Sequence, residues 1–233
     1  MARHPGSLSV VIMAFNERDS LPPQVRATLA FLDQAVESGQ VVVVDDGSRD
    51  GTGELADALA REDPRVTVVH HPTNLGMGVA IRSGYAAATC EWVTQLPGDG
   101  QIAPVTLARF LPLLDRHDLV LSTYERRGDG PVRLLVTAGY QATARVLLGD
   151  RCRFTGTMVF RRAWLDRVRL ACDSFMVNVE LPLKLMRLGV EPGWVSIEAP
   201  LPRAHGTSKV LSTGRILRVV REMLALRREL GVS

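Results

Sequence analysis

The sequence predicts an α/β fold arranged as a three-layer sandwich, in which a mostly parallel central sheet has helices on both faces. The first observation is a run of four valines at residues 41–44, which is typical of a strand buried on both faces because it has no polar alternation. The second is that short apolar runs alternate with helix-like segments through the first half of the chain. Such alternation, with right-handed crossovers, produces a parallel sheet.

Residues that start and stop helices divide this first half. Pro22 and Pro23 suit the first turn of a helix with Ser20 at its N-cap, Gly39 is expected to close that helix, and the Asp-Pro pair at 63–64 ends the next one. The predicted elements are a strand at 8–15, a helix at 20–37, a strand at 41–44, a helix at 53–61, a strand at 66–70, a helix at 79–89 and a strand at 92–96.

The second half is less regular. The predicted elements are a helix at 105–114, a strand at 118–122, a helix at 132–148, a strand at 157–160, a helix at 180–188, a strand at 193–197 and a helix at 213–230. The last helix is amphipathic, because its apolar residues recur at helical spacing. No internal repeat or linker is visible, so we expect a single domain.

Composition restricts the class of protein. Hydrophobic residues make up 46% of the 233 residues and charged residues 23%, which is ordinary for a soluble globular protein. No apolar run approaches the roughly 18 residues of a membrane-spanning helix, and the N-terminus shows no secretory signal. The cysteines, Cys90, Cys152 and Cys172, are odd in number and lack C-x-x-C spacing. We therefore expect neither a disulfide framework nor a zinc site, and predict a cytoplasmic protein.

The positive charge is concentrated at the C-terminus. The net charge is +3, and the stretch from Arg203 to the end has seven basic and two acidic residues. A basic tail on a nearly neutral body favours contact with phosphate or anionic lipid over nucleic acid. A helix face that only contacts solvent explains the same charges equally well.

Acidic residues follow three of the predicted strands. Asn16 and Glu17 follow the first, Asp45 and Asp46 the second, and Asp99 the fourth. The carboxyl ends of the strands form the ligand-binding edge of an open α/β sheet, so we expect these side chains to meet there. Gathered carboxylates need a cation or donor groups, and Mg²⁺ or Mn²⁺ commonly binds one or two carboxylates together with substrate phosphates. The pattern therefore predicts a diphosphate-bearing ligand.

A glycine-bearing loop, NLGMG at residues 74–78, precedes the third predicted helix. Its backbone amides could hold a phosphate at the helix N-terminus. Tight packing of the loop against the sheet explains these glycines equally well. The loop lacks the third glycine of a dinucleotide-binding fingerprint, and the chain has no GxxxxGK[ST] phosphate loop.

Several segments form a pattern that covers nearly the whole chain. They are SVVIMAFNE at 9–17, VVDDGSRDGT at 43–52, NLGMGVAIRSG at 74–84, DGQ at 99–101, Arg133, Glu180 and RAHGTSK at 203–209. Together they resemble glycosyltransferase family 2, and within it the polyprenyl-phosphate (dolichol-phosphate mannose synthase-like) branch. The resemblance implies a single domain with the GT-A (Rossmann-like) fold. Its nucleotide-binding half would be 1–103, its acceptor half 104–212 and its C-terminal amphipathic helix 213–233.

The resemblance also implies roles for individual residues. Asp99 matches the surviving acid of the family's D-x-D motif and is expected to hold Mg²⁺ or Mn²⁺ on the donor diphosphate during catalysis. Arg203 and Lys209 are expected to hold phosphate in the reaction. Glu180, with Asp173 behind it, is the candidate base for a hydroxyl acceptor, although Glu180 could equally cap its helix. The other residues expected at the nucleotide sugar are Ala14, Phe15, Asn16, Glu17, Asp45, Asp46, Gly76, Arg82, Gln101 and Arg133.

Two positions depart from the family pattern. Pro97 replaces the first acid of D-x-D, so either Asp99 serves the metal with the diphosphate and water, or Asp46 contributes as well. The segment STYE at 122–125 lacks the arginine of the family's G-S-R-Y, for which Arg126 or Arg127 is a candidate substitute.

The implied reaction is inverting transfer of a sugar from a UDP- or GDP-sugar to a polyprenyl-phosphate-like acceptor. We expect the protein to be cytoplasmic, with peripheral membrane contact through the basic tail and no nucleic-acid partner. Two alternatives stay open: transfer to a hydroxyl of a soluble small molecule, and a nucleotide-binding protein without catalysis.

Overall fold

The middle layer of the protein is the sheet that the sequence predicts. The computed structural model describes residues 3–125, 156–198 and 213–231. Within these ranges the sheet has seven strands: β1 (His4–Ala14), β2 (Val36–Asp45), β3 (Val66–His70), β4 (Trp92–Pro97), β5 (Leu119–Tyr124), β6 (Met158–Arg161) and β7 (Gly193–Ile197).

The sheet is mostly parallel. Its strand order is β3-β2-β1-β4-β6-β5-β7. The strand β6 is antiparallel to its neighbours β4 and β5, and the other four pairs are parallel. The carboxyl ends of β1, β2, β3 and β4 therefore lie at one edge, which confirms the predicted fold class.

Helices cover both faces. The α-helices are α1 (Leu21–Ala35), α2 (Thr52–Glu62), α3 (Met77–Ala87), α4 (Val177–Arg187) and α5 (Thr213–Leu230), and the 3-10 helices are Pro104–Arg109, Leu111–Leu113 and Arg162–Asp166. One apolar core joins the sheet to α1, α2 and the first two 3-10 helices, and the other joins it to α3, α4 and α5. Among the described residues, no helix is both long and apolar enough to cross a membrane.

The four valines of β2 show why the sheet is the middle layer. Val41 and Val43 belong to the core under α1 and α2, whereas Val42 and Val44 belong to the core under α3, α4 and α5. Successive side chains of a strand point to opposite faces, so an unbroken apolar run fills both cores. All four are fully buried, as predicted.

The predicted end of the first helix is wrong. Helix α1 ends at Ala35, β2 begins at Val36, and Gly39 lies inside β2 rather than closing the helix. A Cβ atom at Gly39 would lie 2.9 Å from the side chain of Leu32, so the glycine allows the strand to pass close to α1. Ser20 occupies the N-cap position, but its hydroxyl donates to Glu17 Oε2 at 2.7 Å instead of capping the helix.

Other boundaries also differ. The structure has two 3-10 helices, Pro104–Arg109 and Leu111–Leu113, instead of one helix at 105–114, because Pro112 cannot donate to a continuous α-helical ladder. Strand β1 begins at His4, with an irregular register between His4 and Ser7. The predicted helix at 132–148 lies outside the described residues. Cys90 and Cys172 are free, buried thiols.

Candidate active site

Three loops meet at the carboxyl edge of the sheet. They follow β1, β2 and β4, and backbone hydrogen bonds join them at the strand ends. The Asp46 N–H donates to the carbonyl of Ala14 at 2.9 Å, and the Gly98 N–H donates to the carbonyl of Met13 at 2.9 Å. The structure therefore brings together the strand ends that carry Glu17, Asp46 and Asp99.

The turn after β1 is locked to the turn after β2. Asn16 has a φ of 55°, a left-handed conformation that asparagine tolerates better than most residues. Its side-chain oxygen accepts the Arg49 N–H at 2.9 Å, and its own N–H donates to the Ser48 hydroxyl at 2.9 Å. The Glu17 N–H donates to the Thr52 hydroxyl at 2.9 Å. These bonds fix both sides of the pocket expected for the nucleotide.

Asp45 is buried at the end of β2. Its Oδ1 accepts the Ser48 N–H at 3.0 Å, and its Oδ2 lies 3.2 Å from His70 Nδ1. A Cβ atom on Gly53 would lie only 2.7 Å from Oδ2, so glycine at the start of α2 leaves room for the carboxylate. The other ring nitrogen of His70 lies 2.9 Å from Asp57 Oδ1. The pKa of His70 is raised, chiefly by the Asp57 hydrogen bond, with a further contribution from Asp45 against the opposing effect of burial.

Asp46 is fully engaged by the glycine-bearing loop. Its Oδ1 accepts the Leu75 N–H at 2.9 Å and lies 2.7 Å from His71 Nδ1, while its Oδ2 accepts the Gly76 N–H at 2.9 Å. The second ring nitrogen of His71 lies 2.9 Å from the Ser83 hydroxyl. With both oxygens used and only 4% of the residue exposed, Asp46 is poorly placed to share a metal ion with Asp99.

The glycines of the loop at 74–78 serve packing. Gly76 has a φ of 98°, which glycine adopts without strain. A Cβ atom on Gly78 would lie 2.4 Å from the backbone carbon of Asp173, and the Gly78 N–H donates to the Asp173 carbonyl at 3.0 Å. The amides of Leu75, Gly76 and Gly78 therefore all have protein acceptors. This arrangement favours the packing interpretation over a phosphate cradle, including at Gly76, which the resemblance placed at the nucleotide sugar.

Arg82 also holds the loop that precedes α4. Its Nη1 donates to the carbonyl of Cys172 at 2.8 Å, and its Nη2 lies 2.7 Å from Asp173 Oδ1. Glu222 of α5 completes the attachment, because it accepts the N–H groups of Asp173 and Ser174 at 2.9 and 3.2 Å as well as the Ser174 hydroxyl. Sequence reasoning missed Glu222, because nothing local separates it from the exposed charges of the same helix.

Asp99 and Gln101 lie in the loop after β4. Asp99 is partly exposed, and its Oδ1 accepts the Gln101 N–H at 3.1 Å across Gly100, whose φ is 73°. In the described part of the chain, no group of three or more His, Cys, Asp or Glu side chains is arranged to hold a metal ion. One partly exposed carboxylate still fits Mg²⁺ or Mn²⁺, since these ions often bind one protein carboxylate with the substrate phosphates and water.

Glu180 is buried, and its carboxylate is bonded to the protein itself. It is 1% exposed, its Oε1 and Oε2 accept the N–H groups of Ala171 and Cys172 at 2.8 and 2.9 Å, and Lys184 Nζ lies 2.8 Å from Oε1. Burial raises the pKa of Glu180, but the hydrogen bonds from Lys184 and the two amides outweigh burial and lower it. A buried, ion-paired carboxylate is a poor proton acceptor, which argues against the predicted role as a base.

Lys184 is satisfied on all sides. Besides Glu180, its ammonium contacts the carbonyl of Arg169 at 2.6 Å and Glu229 Oε1 at 2.7 Å, so its three donors have three acceptors. Sequence reasoning missed this pair, although its i, i+4 spacing is a visible signal.

Three expected site residues, Arg133, Arg203 and Lys209, lie outside the described residues, as do the candidate substitutes Arg126 and Arg127. Phe15 and Glu17, which were also expected at the site, follow β1 and are half-buried.

Comparisons with known proteins agree with this geometry. A family model for "Glycosyl transferase family 2" matches residues 9–169. The chain is 32% identical over 224 residues to polyprenol monophosphomannose synthase of Mycolicibacterium smegmatis, covering 86% of this chain and 80% of that protein. It is 34% identical over 194 residues to undecaprenyl-phosphate mannosyltransferase of Micrococcus luteus, covering 77% of each.

A solved structure has the same architecture. Glucosyl-3-phosphoglycerate synthase from Mycobacterium tuberculosis, crystallised with Mn²⁺, UDP-glucose and phosphoglyceric acid, matches with a TM-score of 0.71 at 25% identity. The match covers 98% of this chain and 81% of that one.

Proposed function

Because this chain belongs to glycosyltransferase family 2, we propose that it transfers a sugar, with inversion at the anomeric carbon, from a nucleoside diphosphate sugar to a polyprenyl phosphate. The observation that carries this proposal is the meeting of three strand-end loops, which carry the buried Asp45 and the partly exposed Asp99. The two relatives named above bear names of enzymes that use such lipid phosphates.

The donor would lie across the ends of β1, β2 and β4. Asp45, Phe15 and Glu17 would line the side of the base and ribose, and Asp99 with Gln101 the side of the diphosphate. A divalent metal bound at Asp99 would supply positive charge to the leaving diphosphate. The base is either uracil or guanine, since nothing in these loops separates the two.

The state of the two candidate bases, Glu180 and Asp173, supports a phosphate acceptor. Glu180 is committed to Lys184 and to two backbone amides, and Asp173 is paired with Arg82. A phosphate acceptor is already an anionic nucleophile and needs no strong base, whereas a hydroxyl must lose a proton to a carboxylate. Both candidate bases are engaged, which supports a phosphate over a hydroxyl, and the names of the two relatives support a lipid phosphate.

A soluble acceptor is the second candidate. The structural neighbour was crystallised with phosphoglyceric acid, and its chain shares the fold over 98% of this one. Under the first candidate, the protein works at the cytoplasmic surface of a membrane. Under the second, it needs no membrane.

A transfer assay separates the candidates. The purified protein is incubated with Mn²⁺ and either radiolabelled GDP-mannose or UDP-glucose, with a short-chain polyprenyl phosphate in detergent or with phosphoglyceric acid. Label in the organic phase, lost in Asp99→Asn, supports the proposal. Label only on the soluble acceptor supports the second candidate, and transfer to neither from any nucleotide sugar contradicts both.

A further inference from the structure

The C-terminal helix α5 has a fixed orientation on the protein. Its inward face buries Met223, Leu226 and Leu230, which are 1%, 2% and 6% exposed, in the core shared with α3 and α4. This packing determines which residues of α5 point away from the protein.

Both acids of the described helix contact the protein body, and the side chain of Glu229 is still 55% exposed. Glu222 accepts the backbone N–H groups of Asp173 and Ser174, and Glu229 Oε1 lies 2.7 Å from Lys184 Nζ. Each acid of α5 therefore has a hydrogen-bond donor or a cation on the protein body. The outward face of the helix carries exposed arginines and leucines.

The outward face carries a regular stripe. Leu217, Arg221, Leu224 and Arg228 follow each other at spacings of four, three and four residues, so they line one side of the helix. The two leucines are 58% and 40% exposed, and Arg218, Arg221 and Arg228 are exposed. Within the described ranges, none of these three arginines forms a salt bridge. We call these four residues, together with the adjacent Arg218, the Leu–Arg stripe.

The stripe matches an anionic lipid surface. Exposed leucines on a helix lying in the membrane plane enter the boundary between headgroups and acyl chains, while arginines extend their apolar stems along it and keep their charge at the phosphates. We propose that the Leu–Arg stripe docks the protein on an anionic bilayer. The purpose of this docking rests on the proposed function, because a polyprenyl phosphate resides in the bilayer.

Vesicle sedimentation tests the docking. The full chain is mixed with vesicles of phosphatidylcholine alone or containing phosphatidylglycerol, at low and high salt. We expect binding only to the anionic vesicles, weakened by salt. The variant R218E/R221E/R228E should bind at least tenfold more weakly, since each arginine near an anionic surface contributes roughly a fivefold gain in partitioning. The variant L217Q/L224Q should also bind more weakly.

Matched controls use exposed residues elsewhere. R26E/R61E/R116E and V105Q alter three arginines and an apolar residue that are exposed on the side of the sheet covered by α1 and α2, and they should leave binding unchanged. An unchanged melting temperature shows that the variants remain folded. Equal binding by the stripe and control variants, or no binding by the wild type, overturns the proposal.

A second copy of the chain is the competing occupant. A dimer in solution that R218E/R221E/R228E and L217Q/L224Q dissociate, without vesicle binding, would assign the stripe to self-association and overturn the lipid proposal. The proposed function fails separately, because it predicts transfer to a short-chain polyprenyl phosphate in detergent, where no bilayer is needed. Vesicle binding without any sugar transfer would therefore support the docking proposal and contradict the proposed function.

Discussion

The Asp46 carboxylate accepts the backbone N–H of Gly76 at 2.9 Å, and this bond joins the end of β2 to the loop before α3. The Leu75 N–H and the His71 ring use the other carboxylate oxygen. Asp46 thus holds the loop before α3 against the end of β2. The acid next to it, Asp45, is also buried, and its two oxygens contact the Ser48 N–H and the His70 ring.

Replacing Asp46 by asparagine should destabilise the protein. An amide has one acceptor oxygen, so at least one of the Leu75 and Gly76 N–H groups would face an NH₂ group and stay unsatisfied. We expect Asp46→Asn to cost about 2 kcal/mol and to lower the melting temperature by about 6 °C. Asp19→Asn, in the exposed turn before α1, is the control and should change little. A melting temperature equal to that of the wild type would show that the Asp46 bonds contribute nothing.

The ion pair of Glu180 and Lys184 should contribute to the free energy of unfolding rather than to kcat. Lys184→Met leaves the Glu180 carboxylate buried without its cation, which typically costs about 3 kcal/mol, or roughly 6 to 12 °C in melting temperature. Glu180→Gln should also melt at a lower temperature, but in the folded protein kcat should stay within about threefold of wild type.

Glu229→Gln is the matched control, because it removes the other, half-exposed carboxylate at Lys184. It should cost less stability than Glu180→Gln. A loss of about a hundredfold or more in kcat for folded Glu180→Gln is the result expected for a general base, and it would restore that role.

The pH dependence of stability should carry a contribution from His70. Both ring nitrogens face carboxylates, Asp57 and Asp45, so both favour a proton, and the pKa is raised above the ordinary value of 6.5. A group with a raised pKa in the folded state stabilises fully below its unfolded pKa, and that stabilisation is lost as the pH rises through the folded pKa.

We therefore expect the melting temperature of the wild type, relative to His70→Gln, to fall as the pH is raised from below 6.5 into the alkaline range. Thermal melts of the two proteins in matched buffers measure the difference. A difference that is constant with pH, or grows as the pH rises, would contradict the assignment of a protonated His70 between the two acids.

Part of this architecture can be predicted from local sequence. The four valines before Asp45 predict a strand buried on both faces, because their lack of alternation requires apolar layers above and below. The acids at the strand ends predict a ligand-binding edge, because the carboxyl ends of parallel strands lie at one edge of the sheet. The structure shows the buried strand and the meeting of the strand ends, and the ligand at that edge stays a prediction.

The rest depends on contacts between distant segments. Gly39 was expected to close a helix because glycine commonly does so, but it lies in β2, where the close approach of Leu32 leaves no room for a side chain. A side chain at Gly78 would collide with the backbone of Asp173. The carboxylate of Glu222 accepts a backbone N–H from the same loop. No local pattern contains these partners, which is why the roles of these residues become visible only in the folded chain.

The most direct test of the account is nucleotide binding measured by calorimetry on wild type and Asp99→Asn, using UDP and GDP with and without Mn²⁺. The account predicts that one nucleotide binds wild type about tenfold or more tightly with Mn²⁺ than without it. Asp99→Asn should keep the weak metal-free binding and lose the gain from Mn²⁺. Absence of binding by both nucleotides, or the same gain from Mn²⁺ in Asp99→Asn, would contradict a donor site built on this single carboxylate.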